Sequence, residues 1–422
     1  MIHMIVGAQW GDEGKGKIVD LLSQKADFAI RFHGGNNAGH TIINQYGKFP
    51  LHLVPAGIFN LRCKAFITNG VILDLDVLIN EINLLRKALP DFSNRLFISP
   101  RCHVIMPYHT LLERLFEEAK GKSKTGTTGR GIGPTYADKV SYNGIRIFDL
   151  LNPKLFKQRL ELILSIKNKL ITSFGEKPFR LNEVYQEELK KFQKIKPYVR
   201  ETFQPLMKAI AAKKKIICEG AQGTFLDNDW GTYPYVTASN MVAGNINSGA
   251  GIPPRSIDKI TGVAKAYTTR VGSGPFPTEL LDKNGETIRA NGKEFGTTTG
   301  RPRRCGWLDL ELLRFAMQVN GLTDLTITKL DILDSFKTIK ICTGYTYLGK
   351  KISYVDCDST TLNKVKPIYK TVPGWNSSTV KIKKYSDLPK NAKKYLQEIS
   401  HFLKLSISII SVGPERNQTI IN

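Results

Sequence analysis

GAQWGDEGKGK, residues 7–17, decides how this chain is read. A short apolar run at 2–6 precedes it, and IVDLLSQKA follows with Ile18, Val19, Leu21 and Leu22 at helical spacing, so the order is strand, glycine loop, helix. Free backbone N–H groups and the positive end of a helix dipole converge at such a turn, and glycine lets the main chain approach an anion with no Cβ in the way. Lys15 and Lys17 add charge. The spacing departs from the common nucleotide-binding loop, where Gly-Lys is followed by Ser or Thr to hold Mg2+; here Gly14-Lys15 is followed by Gly16. Asp12 is the replacement ligand. A carboxylate inside a phosphate loop is unfavourable unless a cation or a reacting proton needs it, so it points to chemistry as well as binding. The plain alternative is a glycine-rich turn with solvated charges.

A chain of 422 residues can bury a large core, as one big domain or two to three small ones. No apolar run approaches the roughly 18 residues of a membrane span, and the first strand begins at once, so a cytoplasmic protein without a leader is expected. The cysteines at 63, 102, 218, 305, 342 and 357 are scattered, with no CxxC pair, and read as reduced, mostly buried thiols. A net charge of +24 admits nucleic acid or phosphorylated small substrates as partners. The lysines are spread widely and lack the aromatic interleaving of a nucleic-acid platform, which favours a solvated lysine-rich surface.

DFAIRF (27–32) reads as a second strand running into another unusual loop, HGGNNAGHT (33–41). Two glycine loops at the ends of neighbouring strands suit an α/β sheet that binds ligands at its carboxyl edge. If the two strands pair in parallel, Asp12 and His40 face one substrate as base and acid; otherwise His40 is a histidine satisfied in its own turn. Further strands are expected at 64–69, 95–99, 215–218, 324–330 and 406–411, with helices at 76–88, 108–120 and 308–320. Residues 153–213 read as a helical insertion and 338–385 as a small hairpin-rich lobe, within one large α/β domain spanning 1–422.

Four more loops carry candidate chemistry. KGKSKTGTTGRGIGPTYADK (120–139) has no apolar period and reads as a long surface loop, either a phosphate-binding lid or simply disordered. EGAQGTFLDNDWGTYPYVTASN (219–240) offers Gln222, Thr224, Thr237 and Asn240, amides and hydroxyls that read base edges without adding charge, or that hold their own turn. FGTTTGRPRRCGWLD (295–309) sets three threonines and Gly300 before Arg301, Arg303 and Arg304, whose guanidinium forks match carboxylate or phosphate. LTITKLD (325–331) ends a strand with Lys329 and Asp331; a carboxylate there can accept both the ring N–H and the exocyclic amine of guanine, though such pairs are also common on surfaces.

With these loops in order the chain closely resembles the adenylosuccinate synthetase family, which joins IMP to aspartate at the expense of GTP. The specific pieces are QWGDEGKGK (9–17), GGNNAGHT (34–41), GTTGRGIGP (126–134), EGAQGT (219–224), GTYPYVT (231–237), TRVGSGPFPTE (269–279), TTTGRPRRCGWLD (297–309) and TKLD (328–331). The resemblance implies a large mixed, mainly parallel sheet related to P-loop NTPases, a homodimer, and no nucleic-acid or membrane partner. It implies that Asp12 takes the N1 proton of IMP while His40 acts as acid as the γ-phosphoryl group moves to O6, with Lys15 and Gln222 completing the catalytic set. The 6-phosphoryl-IMP so formed is attacked by the amine of aspartate. Mg2+ is implied at Asp12 and the Gly39 carbonyl.

By the same resemblance GTP meets Gly11, Asp12, Glu13, Gly14, Lys15, Gly16 and Lys17 in the first loop and Gly39, His40 and Thr41 in the second. Its far end meets Arg303, Lys329, Leu330, Asp331, Ser411, Val412 and Gly413. IMP is expected at Asp12, Asn37, Ala38, Gly39, His40, Thr128, Gln222, Thr237 and Arg301, and aspartate at Thr297, Thr298, Thr299, Gly300, Arg301 and Arg303. One position departs from the family pattern. Where family members commonly place an arginine that reaches the neighbouring subunit's IMP phosphate, this chain has Tyr142, in KVSYNGIR. Either the Tyr142 hydroxyl or Arg146 or another basic group replaces it, or IMP binds more weakly; exchanging a charged bond of about 2 kcal/mol for a neutral one of about 1 would not abolish activity.

Overall fold

β1 (Ile2–Gly7) is buried along its whole length, as a strand covered on both faces of a parallel sheet should be. The computed structural model, which describes residues 1–89, 91–296, 300 and 302–422, builds a nine-stranded sheet around it. The other strands are β2 (Phe28–Arg31), β3 (Lys64–Ile67), β4 (Leu96–Ile98), β5 (Ile216–Glu219), β6 (Lys259–Lys265), β7 (Asp324–Thr328), β8 (Ile407–Ser411) and β9 (Thr419–Ile421). Their order in space is β9-β8-β7-β6-β1-β5-β2-β3-β4. All pairings are parallel except β8 with β9 at one edge, so the expected mixed, mainly parallel sheet is present.

Alternate residues of β1 serve opposite faces. Met4 and Val6 enter one hydrophobic cluster, with α7 (Phe203–Ala211), α8 (Lys283–Gly292), α9 (Leu310–Asn320) and α10 (Lys390–Leu403). Ile5 enters the other, with α1 (Lys15–Ser23), α2 (Leu75–Ala88), α3 (Pro107–Ala119), α5 (Pro153–Ser173) and α6 (Leu181–Ile195). In the 338–385 stretch, Thr338–Tyr347 pairs antiparallel with Lys350–Ile352 and Lys366–Pro373.

Three expectations change. β1 and β2 are parallel but not neighbours: β5 lies between them, with Glu219 level with Ile5 on one side and Arg31 on the other. The two glycine loops still leave the same sheet edge, because all three strands run the same way. The 120–139 stretch is not all loop, since residues 132–140 form α4 (Ile132–Val140). Gly131, at φ 77°, starts it without a side-chain cap, and Asp138 is buried between His109 (2.9 Å) and Lys167, so tertiary ion pairing supplies what the glycine-rich sequence lacks. Finally, β6 was unforeseen. Lysines at both its ends break the apolar pattern, and Gly262 interrupts it because the Leu322 side chain occupies the space where a Cβ would sit.

Candidate functional site at the carboxyl edge of the sheet

The first loop closes on its own carboxylate. Glu13, fully buried, accepts the N–H groups of Gln9 (3.1 Å) and Gly11 (2.9 Å) and pairs with the Lys15 amine, which also donates to the Gln222 carbonyl. Gly14 begins α1 in the left-handed region at φ 87°, with no side chain capping the helix, so the first-turn N–H groups are left to an anion. Asp12, at φ 60°, holds its carboxylate partly exposed, and Arg303 Nε lies 2.8 Å from its Oδ2.

His40 meets this loop. It opens a strand, His40–Asn44, that pairs with Gly47–Leu51, and its Cβ would stand 2.9 Å from any Cβ placed on Gly16. Its Nδ1 hydrogen-bonds to the Glu219 carboxylate, which also accepts from Arg31 Nη1 at 2.9 Å and from the Ala56 N–H at 2.8 Å. That commitment leaves Nε2 as the nitrogen for a substrate. Burial, followed by the nearby Arg31 charge, pushes the imidazole below the usual histidine value. For Glu219 burial acts upward, but His40 and Arg31 outweigh it and hold the carboxyl low.

Beside them runs a chain of neutral groups: Gln222 Nε2 donates to Asn37 Oδ1 at 2.9 Å, and Asn37 Nδ2 donates to Thr237 Oγ1 at 3.2 Å. Gln222 Oε1 is buried with no partner among the described residues. Ala38 packs with Ala221 and Met241 beneath this chain. Thr128 stands apart, exposed on a loop whose N–H groups at 125–127 are held by Glu117. Thr297, Thr298, Thr299 and Arg301 lie outside the described residues, and Gly300 is exposed at φ 64°.

The far end is organised by Glu294. Its buried carboxylate accepts from Lys329 at 2.7 Å, Lys265 at 3.1 Å and Arg303 at 2.6 Å, tying the guanidinium that faces Asp12 to the lysine that follows β7. Burial opposes ionisation there, yet the three cations hold the carboxyl below the usual range. Asp331 lies in the turn Leu330–Leu333; burial raises its carboxyl to about 6, and its Oδ1 is buried without a partner among the described residues. Lys17 reaches this end too: its amine bonds to Ser411, Gly413 and Gln418, and burial pushes it down to about 7.

The structure therefore gathers Lys15, His40 and Gln222 around the loop that holds Asp12, while Arg303 with Glu294 ties Asp12 to Lys329, and Lys17 ties the same loop to Ser411, whose strand packs on the turn of Asp331. Sequence reading missed Arg31, Glu219, Lys265 and Glu294. A buried carboxylate at the end of a strand and just before the GAQG loop was the available signal for Glu219. The arrangement sets a partly exposed carboxylate, an imidazole held at one nitrogen, a helix N-terminus without a side-chain cap and a buried amide oxygen with no partner among the described residues around the same loops.

Residues 4–420 match the family model described as adenylosuccinate synthetase. An adenylosuccinate synthetase of Clostridium botulinum is 49% identical over 420 residues, covering 99% of this chain and 98% of that protein. The fully ligated adenylosuccinate synthetase of Plasmodium falciparum superposes with a TM-score of 0.94 at 35% identity, covering 100% of this chain and 99% of that one. The cyanophage S-2L succinoaminodeoxyadenylate synthetase shares the fold, with a TM-score of 0.61 at 19% identity. On this site, this fold and these matches over nearly its whole length, the chain belongs to the adenylosuccinate synthetase family.

Proposed function

We propose that this chain ligates IMP to L-aspartate at the expense of GTP, the reaction of its family in AMP synthesis, with the residues assembled above in the following roles. The observation that carries the reading is the contact of the two glycine loops, which sets His40 against the loop that holds Asp12. Asp12 takes the N1 proton of IMP, so that O6 becomes nucleophilic. His40, its Nδ1 held by Glu219, presents Nε2 as the acid to the phosphate oxygen that leaves with GDP as O6 takes the γ-phosphoryl group and the β–γ bond breaks. The Lys15 amine and the free N–H groups of α1 offset charge on the transferred phosphoryl oxygens. Gln222 uses its unpartnered Oε1 to orient the base. Aspartate then attacks C6 and phosphate leaves, because a phosphoryl ester is a far better leaving group than an oxo group.

Mg2+ takes one or two protein oxygens plus phosphates and water, and the partly exposed Asp12 carboxylate with the Gly39 carbonyl fits that donor set. The ion would neutralise phosphate charge there. We place the enzyme in the cytoplasm as a homodimer. Tyr142, 90% exposed at φ 67°, and Arg146, stacked over Phe148, are the groups available to a neighbouring copy's IMP.

The test is adenylosuccinate formation by the purified protein, followed by absorbance with each substrate omitted in turn. Product is expected only with all three. Undiminished GTP hydrolysis without IMP and aspartate would replace the ligase with a stand-alone GTPase, and tight oligonucleotide binding with a steep salt slope would favour a nucleic-acid partner. Asp12→Asn should lower turnover by roughly 10²-fold or more while GTP affinity stays within a few-fold, and near-normal turnover refutes the assigned base.

A further inference from the structure

Lys17 stands in the first turn of the helix that follows the phosphate loop, yet its amine turns toward the far end of the chain. It donates to Ser411 Oγ at 2.7 Å, to the Gly413 carbonyl at 2.7 Å and to the Gln418 carbonyl at 2.8 Å. An ammonium has three protons, and these acceptors use all of them. The three acceptors belong to one tight segment. The Val412 N–H donates to the Gln418 carbonyl at 3.0 Å, and the Gln418 amide fills the space where a Cβ on Gly413 would sit.

A second tie lies one turn along the same helix face: the buried Asp20 carboxylate accepts from Arg416 Nε at 2.5 Å and Nη2 at 2.7 Å. Helix α1 thus grips residues 411–418 at two points. Strand β8, which delivers that segment, packs against the turn Leu330–Leu333, where the buried Asp331 Oδ1 has no partner among the described residues.

We propose that Lys17 is a positioning residue for purine recognition and not a ligand of the transferred phosphate: it acts through the 411–418 segment, fixing the wall from which a base is presented to Asp331. The proposal rests on the reading of these loops as the GTP site. A guanine offers a carboxylate both a ring N–H and an exocyclic amine, hypoxanthine only the ring N–H, and adenine no ring N–H, so the fit of this wall sets how strongly the bases are told apart.

The experiment uses the full chain with Lys17→Met, and measures calorimetric binding of GDP, IDP and ADP together with steady-state kinetics. The dissociation constant for GDP should rise about 10-fold and the preference for GDP over IDP should fall by a similar factor, while kcat at saturating GTP changes less than about 3-fold. KM for IMP and for aspartate should stay within about 2-fold. A kcat loss of roughly 100-fold with base preference retained would overturn the proposal and put the amine on the phosphate. Arg416→Gln, which leaves the glycine loop untouched, should erode the same preference; an unchanged GDP to IDP ratio there overturns it as well. Wild-type protein that binds no GDP would instead sink the reading of the site itself.

Discussion

In the proposed reaction His40 serves as acid to the departing phosphate oxygen only while its other nitrogen is held, and Glu219 does the holding. Replacing Glu219 with Gln removes the charge that supports the imidazolium, so the already lowered pKa of His40 falls further. An acid that must be protonated then loses activity at lower pH. The alkaline limb of the kcat profile should therefore move toward acid in Glu219→Gln, and an unmoved limb would deny Glu219 this role. The same change strands the buried Arg31 guanidinium, and a thermal melt should register a loss of about 3 kcal/mol or more. Asp12 and His40 were legible because a charged or titratable side chain in a glycine loop has few structural uses. Glu219 and Glu294 were not, because each becomes meaningful only beside cations far away in sequence: Arg31 in one case, Lys265, Arg303 and Lys329 in the other.

The two glycine loops act as one unit because Gly16 has no side chain. A methyl there would meet His40 Cβ at 2.9 Å, a distance that forces one of the loops to shift. Gly16→Ala should keep its fold by circular dichroism yet lose roughly 10-fold or more in kcat, since displacing a catalytic group by about 1 Å is costly. Normal turnover would mean that the two loops move independently. Most elements were readable from periodicity: α2 and α3 begin within one residue of their expected starts. Helix α4 and strand β6 were not. The first draws its stability from the His109, Asp138 and Lys167 cluster, the second from close packing of Leu322 over Gly262, and neither contact is local.

At the scale of the whole molecule, sheet class was visible in the alternation of apolar runs and helical patterns, whereas strand order was not, because nothing within a strand names its neighbour. That order has a consequence for how the protein is made. β1 leaves the ribosome long before both of its partners, β5 and β6, which lie more than half a chain away. Until residues 216–219 emerge, a mostly apolar strand that is fully buried in the fold waits with both edges open, exposed to the wrong neighbours. A fragment ending at residue 210 should accordingly precipitate or stay bound to holding chaperones, while one extended to residue 270 gains solubility; equal solubility of the two would show that β1 is sheltered some other way. The position that gives the site its central carboxylate is also the one that makes the newborn chain wait longest for its core.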